Sequence, residues 1–342
     1  MRMPIFSLLA LVVAAALFAA FLAIGNEYLF FAGYVVVQYV VIATAWNILG
    51  GYCGYVNFGT GAFFAVGAYA TVALHKLQNY SENNFPPAVA EVIAVIFPLP
   101  IPVLILIGGL LSGIIGLLMG YLTLRLRGVF FAIATLALAV VLQTLVVNWD
   151  YVGGSRGATI LRPPTTSLFG MDYIHYLFAL MLLLAAISII IARGIERSTF
   201  GYGLASIRDD ELAAEAAGVP TLRLKLACTA ISGALMGMAG APFPYYVGYV
   251  EPASTFSLIY AVNAIAMPMV GGTAGWLGPL LGSLTLGSLQ QIASVTISSE
   301  ASLLLIGVIL VAFVVLAPRG MLGWFDRLRP KRKGMVATGG GH

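Results

Sequence analysis

Long runs without a charged side chain constrain this 342-residue chain more than any motif does, and residues 28–74, 101–124 and 226–250 each lack one. A helix needs roughly 20 apolar residues to cross about 30 Å of hydrocarbon. Inside lipid the backbone must satisfy its own N–H and C=O groups, so such runs are expected to be α-helical. A hydrophobic fraction of 61%, only 9% charged residues and a mean hydropathy of +0.99 exclude an ordinary soluble domain. The expected class is an all-α integral membrane protein.

Ten spans are expected, at 5–24, 28–49, 56–75, 100–124, 129–148, 173–193, 225–247, 256–271, 277–296 and 301–317. With a cytoplasmic N-terminus, 14 of the 17 Lys and Arg residues fall on the cytoplasmic side. Only Lys76, Arg156 and Arg162 fall outside. That bias is the positive-inside signature, and it places both termini in the cytoplasm. The first run is longer than a signal-peptide core of roughly 7 to 15 residues and another span follows at once, so it reads as a span. Its alternative, a cleaved leader, has only the small-x-small end Ala23-Ile24-Gly25. Residues 1–325 thus form one membrane domain. Residues 326–342 are expected to form a basic, disordered tail, whose Arg327, Arg329, Lys331, Arg332 and Lys333 suit anionic lipid. Cys53 and Cys228 are expected to be reduced packing residues, with no metal site and no nucleic-acid partner.

Many of the 39 glycines lie inside spans rather than in loops, where small residues let helices approach closely. Gly59, Gly61, Gly271 and Gly272, the last two near Pro268 and Pro279, are candidates for helix breaks of the kind that line transport sites. Val56 to Ala70 and Val270 to Leu284 share a faint Gly/Thr/aromatic texture. Two external loops, Lys76 to Leu99 and Asp150 to Met171, are long enough to form a docking face or gate. Gly153-Gly154-Ser155-Arg156-Gly157 in the second is not a phosphate loop, because no Lys-Ser/Thr follows it and no strand precedes it.

Between two apolar runs lies a polar stretch, residues 194–225, that must face water. Ser206 is an expected N-cap, with Asp209, Asp210 and Glu211 near the positive end of the helix dipole. Gly218 suits a left-handed C-terminal position and Pro220 blocks continuation, so a helix over 207–217 is expected. Its apolar face is mostly alanine: Ala213, Ala214, Ala216 and Ala217 beside Ile207 and Leu212. A face that small suits a groove on another protein, or a connector helix at the membrane surface.

Glu215-Ala216-Ala217-Gly218 resembles the EAA-type coupling motif of ABC-importer permeases. Ser198 to Gly201, Ile207 to Gly218 and Leu224 to Leu226, with Phe58 to Tyr69, Arg127 to Ala137, Val270 to Gly272 and Trp276 to Pro279, occur in an order similar to that of the branched-chain amino-acid ABC permeases. The resemblance covers about residues 40 to 320 and is closest to the M-type member of the paired permeases. Gly54-Tyr55-Val56-Asn57 departs from the more polar text of relatives, a difference that bears on the substrate.

The resemblance implies a catalytically silent membrane subunit that uses ATP and magnesium held by two cytoplasmic ATPases. It implies a second permease subunit, an extracytoplasmic solute-binding protein and a prokaryotic inner membrane. Ser206, Arg208, Asp209, Glu211, Glu215, Ala216, Ala217 and Gly218 would face the ATPase. Leucine, isoleucine, valine or related amino acids are the expected solutes, with urea or short amides as the alternative.

Intramembrane amides are the pathway candidates: Asn47, Asn57, Gln143, Asn263 and Gln290, with Gln38 and Gln291 beside them. An interhelical hydrogen bond is the competing role for each. Tyr245, Tyr246 and Tyr249 read as interfacial anchors. An ion-coupled transporter would need an acid or cation site at depth, and the acids here sit at helix ends and in loops. A membrane enzyme would need a reactive cluster, which His75, His175 and His342 do not supply.

Overall fold

A bundle of helices results because every long apolar run closes its own hydrogen bonds. The computed structural model describes residues 3–123, 126, 128–161, 172–296, 304, 307–309, 311–312 and 320–323. The first half contains α1 (Met3–Ile24), α2 (Glu27–Gly50), α3 (Thr60–Asn84), α4 (Pro87–Ile96), α5 (Ile101–Thr123) and α6 (Val129–Val147). The second contains α7 (Tyr173–Glu196), α8 (Thr199–Asp209), α9 (Glu211–Ala216), α10 (Thr221–Gly240), α11 (Phe243–Val247), α12 (Pro252–Thr255), α13 (Leu258–Gly271) and α14 (Leu277–Thr296). Two short strands, β1 (Ala158–Thr159) and β2 (Tyr249–Val250), pair antiparallel, with Ala158 opposite Val250.

Seven helical segments among the described residues are long and apolar enough to cross a membrane. Not all of the ten expected spans are among them. The region expected at 56–75 is helical from Thr60 and runs on to Asn84, and its polar last turns lower its apolarity. The last expected span, 301–317, lies largely outside the described residues, and the tail 326–342 and loop residues 162–171 lie wholly outside them. The loop expected over Lys76 to Leu99 is mostly helix, the end of α3 followed by α4.

Two of these segments are interrupted, the second at the start of the span expected over 256–271. The segment Thr221–Val247 breaks at Ala241-Pro242, and Pro252–Gly271 breaks at Phe256-Ser257. Proline explains the first, since Pro242 has no N–H to continue the ladder. At the second, Ser257 caps α13 by accepting from the Ile259 N–H. The 14 residues of α13 rise only about 21 Å. The interruption therefore sits within the bundle, where the carbonyls of Phe256 and Ser257 lie 3.3 and 3.0 Å from where a Cβ on Gly61 would stand.

The core is built on α2, which is buried along nearly its whole length. Its neighbours pack α-helix on α-helix through small residues: α3, α5 and α10 meet at Gly67, Gly108 and Gly237, where a Cβ on Gly67 would overlap the Gly237 backbone. Short polar side chains then bond across helices to backbone carbonyls. Ser232 Oγ donates to Ala45 O at 2.7 Å, Thr71 Oγ1 to Ala241 O at 2.8 Å and Ser112 Oγ to Phe63 O at 3.0 Å. The helix α1 is mostly lipid-facing but joins the bundle through rings, Phe21 stacking on Phe178 at 5.1 Å.

Candidate functional site

One end of the bundle collects the polar stretch, and its geometry differs from the expected single helix. The chain makes two helices at an angle, because Asp210 adopts extended backbone (φ −159°, ψ 110°) between them. Ser198, not Ser206, caps α8, accepting from the Gly201 N–H at 3.2 Å. Asp210 caps α9, accepting from the Ala213 N–H at 3.0 Å. Ser206 lies inside α8, where its hydroxyl returns to Tyr202 O at 3.0 Å. The physical reason is that an aspartate followed by a strong helix former competes well for the cap, and Asp209 then becomes the last residue of α8. At the other end Gly218 has φ +85°, and Val219 N–H donates to Ala214 O, a Schellman-type stop followed by Pro220.

The short helix α9 projects from this end. Leu212 is 63% exposed, and Ala213, Glu215, Ala216, Ala217 and Gly218 are exposed with it, whereas Ala214 is buried. Beside it an open groove of about 640 Å³ runs between α8 and the start of α10, lined by Phe200, Tyr202, Gly203, Val219 and Leu224 among others. Glu215 accepts from Thr221 Oγ1 at 2.8 Å, which ties the end of α9 to α10. Arg208 reaches inward from α8 and donates to Gly51 O at 3.2 Å, and its Nε lies 3.5 Å from Asp209 Oδ1. Substituting Asp210 with alanine should cost about 1 kcal/mol by removing the cap. A chemical-denaturation midpoint unchanged by Asp210→Ala would contradict the assigned start of α9.

Behind α9 sits an ion pair that the polar stretch alone did not reveal. Lys225 Nζ lies 2.6 Å from Glu211 Oε1, with side chains only 3% and 13% exposed. Tyr55, from residues 51–59 between α2 and α3, completes it: its hydroxyl donates to Glu211 Oε2 and lies 3.2 Å from Lys225 Nζ. A signal for Lys225 was present in the sequence. Thr221, Lys225, Thr229 and Ser232 recur at helical spacing, and all four are buried on one side of α10.

The pathway candidates do not converge on one point. Asn47 and Asn57 both stand near the 51–59 segment: Asn47 Nδ2 donates to Gly275 O at 3.4 Å, and Asn57 Oδ1 accepts from the Gly59 N–H at 2.7 Å. Among the described residues, each keeps one buried amide atom without a hydrogen-bond partner, Asn47 Oδ1 and Asn57 Nδ2. Asn263 donates to Tyr39 OH at 3.1 Å, and Gln38 to Ala239 O at 3.1 Å, both interhelical bonds within the core. Gln290 and Gln291 are half-buried on α14, Gln143 is half-buried on α6, and Gln290 keeps Oε1 unpartnered. Among the break candidates, Gly59 caps α3 and Gly61 lies in its first turn, Gly271 ends α13, Gly272 forms the turn after it and Pro279 is in the first turn of α14. The actual interruptions at Pro242 and Ser257 carried weaker signals, a Pro-x-Pro pair and one serine.

The opposite end is quieter. Tyr245 is buried with its hydroxyl 3.2 Å from His75 Nδ1, and Tyr246 stacks on Tyr34 at 4.3 Å. Both pack inside the bundle instead of anchoring its surface, while Tyr249 pairs in β2. Cys53 and Cys228 are buried and unpaired, and burial pushes the Cys53 thiol up to about 12. Neither thiol should react with a maleimide in the folded protein, whereas both should in dodecyl sulfate. Rapid labelling of the native chain would show the two sites to be open.

A multi-span helical bundle with a capped, exposed short helix at one end fits a membrane permease. Residues 28–314 match the family of the permease component of branched-chain amino acid transport systems, and the chain belongs to that family. It is 27% identical over 308 residues to the high-affinity branched-chain amino acid transport permease LivM of Escherichia coli, covering 83% of this chain and 67% of that one. LivM of Salmonella typhimurium matches at the same identity and coverage. A probable branched-chain amino acid transport permease LivH of Methanocaldococcus jannaschii is 24% identical over 280 residues, 78% of this chain and 82% of that one. No solved structure matches.

Proposed function

We propose that this chain is the membrane-spanning subunit of an ATP-driven, binding-protein-dependent importer that carries branched-chain amino acids by alternating access. The observation that carries the reading is the helix α9, fixed at both ends and presenting Leu212 and three alanines outward beside an open groove. A small convex face of that kind fits a cleft on a cytoplasmic ATPase. Such a partner would bind ATP and magnesium, neither of which this chain has a motif to hold.

Two ATPases, a second permease subunit and an extracytoplasmic binding protein complete the assembly in this reading, in a prokaryotic cytoplasmic membrane. Ser206, Arg208, Asp209, Glu211, Glu215, Ala216, Ala217 and Gly218 then divide by geometry. The exposed Glu215 to Gly218 turn would meet the ATPase, and Arg208 and Glu211 would hold the helix to the bundle. Asn47, Asn57, Gln143, Asn263 and Gln290 are the proposed polar contacts of a neutral pathway, with the half-satisfied Asn47 and Asn57 foremost. A lining without charge suits a zwitterion that carries both of its own charges.

The test is uptake of labelled leucine into vesicles containing this chain, its partner permease, the ATPases and the binding protein. Import that requires ATP and stops without the ATPases supports the reading. Import of urea but not leucine would keep the mechanism and replace the substrate. Uptake that persists without ATPases and collapses with an ion gradient would sink the proposal.

A further inference from the structure

The 51–59 segment is gripped from the polar end at two points, and it leads directly to the interrupted span. At its start Arg208 of α8 donates to Gly51 O, and Gly54, at φ +81°, lies where a Cβ would stand 3.0 Å from Arg208 Cγ. Four residues beyond Gly51, Tyr55 closes on both members of the Glu211–Lys225 pair. Two residues further, Asn57 accepts from Trp46 Nε1 through its carbonyl at 3.0 Å and from the Gly59 N–H through its side chain. The first turn of α3 follows, and Gly61 there abuts the Phe256-Ser257 break. A buried lysine needs a partner, so α9 and α10 cannot separate here without stranding a charge, and withdrawal of the 51–59 segment would take the Tyr55 hydroxyl from both members of the pair.

We infer that Glu211, Lys225 and Tyr55 are positioning residues that make α9, the base of α10 and the 51–59 segment move as one unit, carrying displacement of α9 to the start of α3 and the interrupted span. The inference rests on the importer reading above and adds to it the route by which the exposed helix acts on the bundle. Tyr55 is the distinctive member, since its single hydroxyl joins both members of the Glu211–Lys225 pair to the 51–59 segment.

The experiment measures ATP hydrolysed per leucine imported by the complete complex in liposomes. Tyr55→Phe removes one oxygen, and it should raise that ratio about fivefold while the complex assembles as before. Lys225→Met should raise it by about tenfold or more. The exchanged pair, Glu211→Lys with Lys225→Glu, should bring the ratio back toward the wild-type value, which a purely packing role would not do. An unchanged ratio in assembled Tyr55→Phe complexes overturns the inference, as does an exchanged pair no better than Lys225→Met. Where Lys225→Met fails to assemble, Tyr55→Phe decides. A wild-type complex that imports no leucine with ATP would instead overturn the importer reading, so the two failures are distinguishable.

Discussion

Gly67→Val is expected to remove most of the folded protein, because the new side chain would grow into the backbone of α10. A Cβ at Gly67 already overlaps the carbonyl of Gly237, and the Cα of Gly67 lies 3.2 Å from where a Cβ on Gly108 would stand. Neither neighbour can turn away, since both are backbone in helices held by their own ladders and by the Ser112 and Thr71 bonds. Overpacking a tight core costs about 1–3 kcal/mol when side chains can shift, and more is expected where they cannot. The measurement is the monodisperse peak and melting midpoint of a fluorescent fusion in detergent. Gly287→Ala serves as the control: its nearest neighbour is a Val36 methyl at 3.5 Å, ordinary contact, so a change within about 0.5 kcal/mol is expected. Equal melting of Gly67→Val and wild type would mean that α3 and α10 do not cross there.

Gly218→Pro is expected to abolish coupled import while leaving the bundle intact. Gly218 has φ +85°, whereas proline is locked near −65°, and its N–H, which donates to Glu215 O at 3.0 Å, would be lost. The turn that presents Glu215, Ala216 and Ala217 would open, and the link from Glu215 to Thr221 with it. ATP-dependent leucine uptake should fall by about tenfold or more. Gly218→Ala can hold the same turn at a strain of roughly 1–2 kcal/mol, so most of its import should remain. A proline variant that imports like wild type would remove α9 from the coupling role. Because a Cβ at Gly218 meets nothing within 4 Å, the effect of proline would come from the backbone of the turn itself, its φ and its lost N–H.

These two glycines also mark what was legible in the sequence. The requirement at Gly218 is local: four residues of good helix former, a glycine, then Pro220 announce a helix stop wherever they occur. The requirement at Gly67 is not local. Small residues in spans announce close approach somewhere, but only the fold pairs Gly67 with Gly237 and Gly108, residues 170 and 41 positions away in the chain.

The same division holds across the candidate site. Hydrophobic run length, charge placement and ordered motifs determined the class, the helical content and the exposed helix near Glu215, because membrane insertion and helix stops depend on nearest neighbours along the chain. The single helix expected over 207–217 was wrong at its start, since Ser206 and Asp210 both offer caps and Asp210, followed by a strong helix former, takes the cap while Ser206 stays inside α8. Tertiary structure alone decided that Tyr55 would meet Glu211 and Lys225, whereas the break at Pro242 carried a local signal in its missing N–H. A buried charge takes whatever partner the fold brings within reach, and partners 156 and 170 residues distant leave no trace in local sequence.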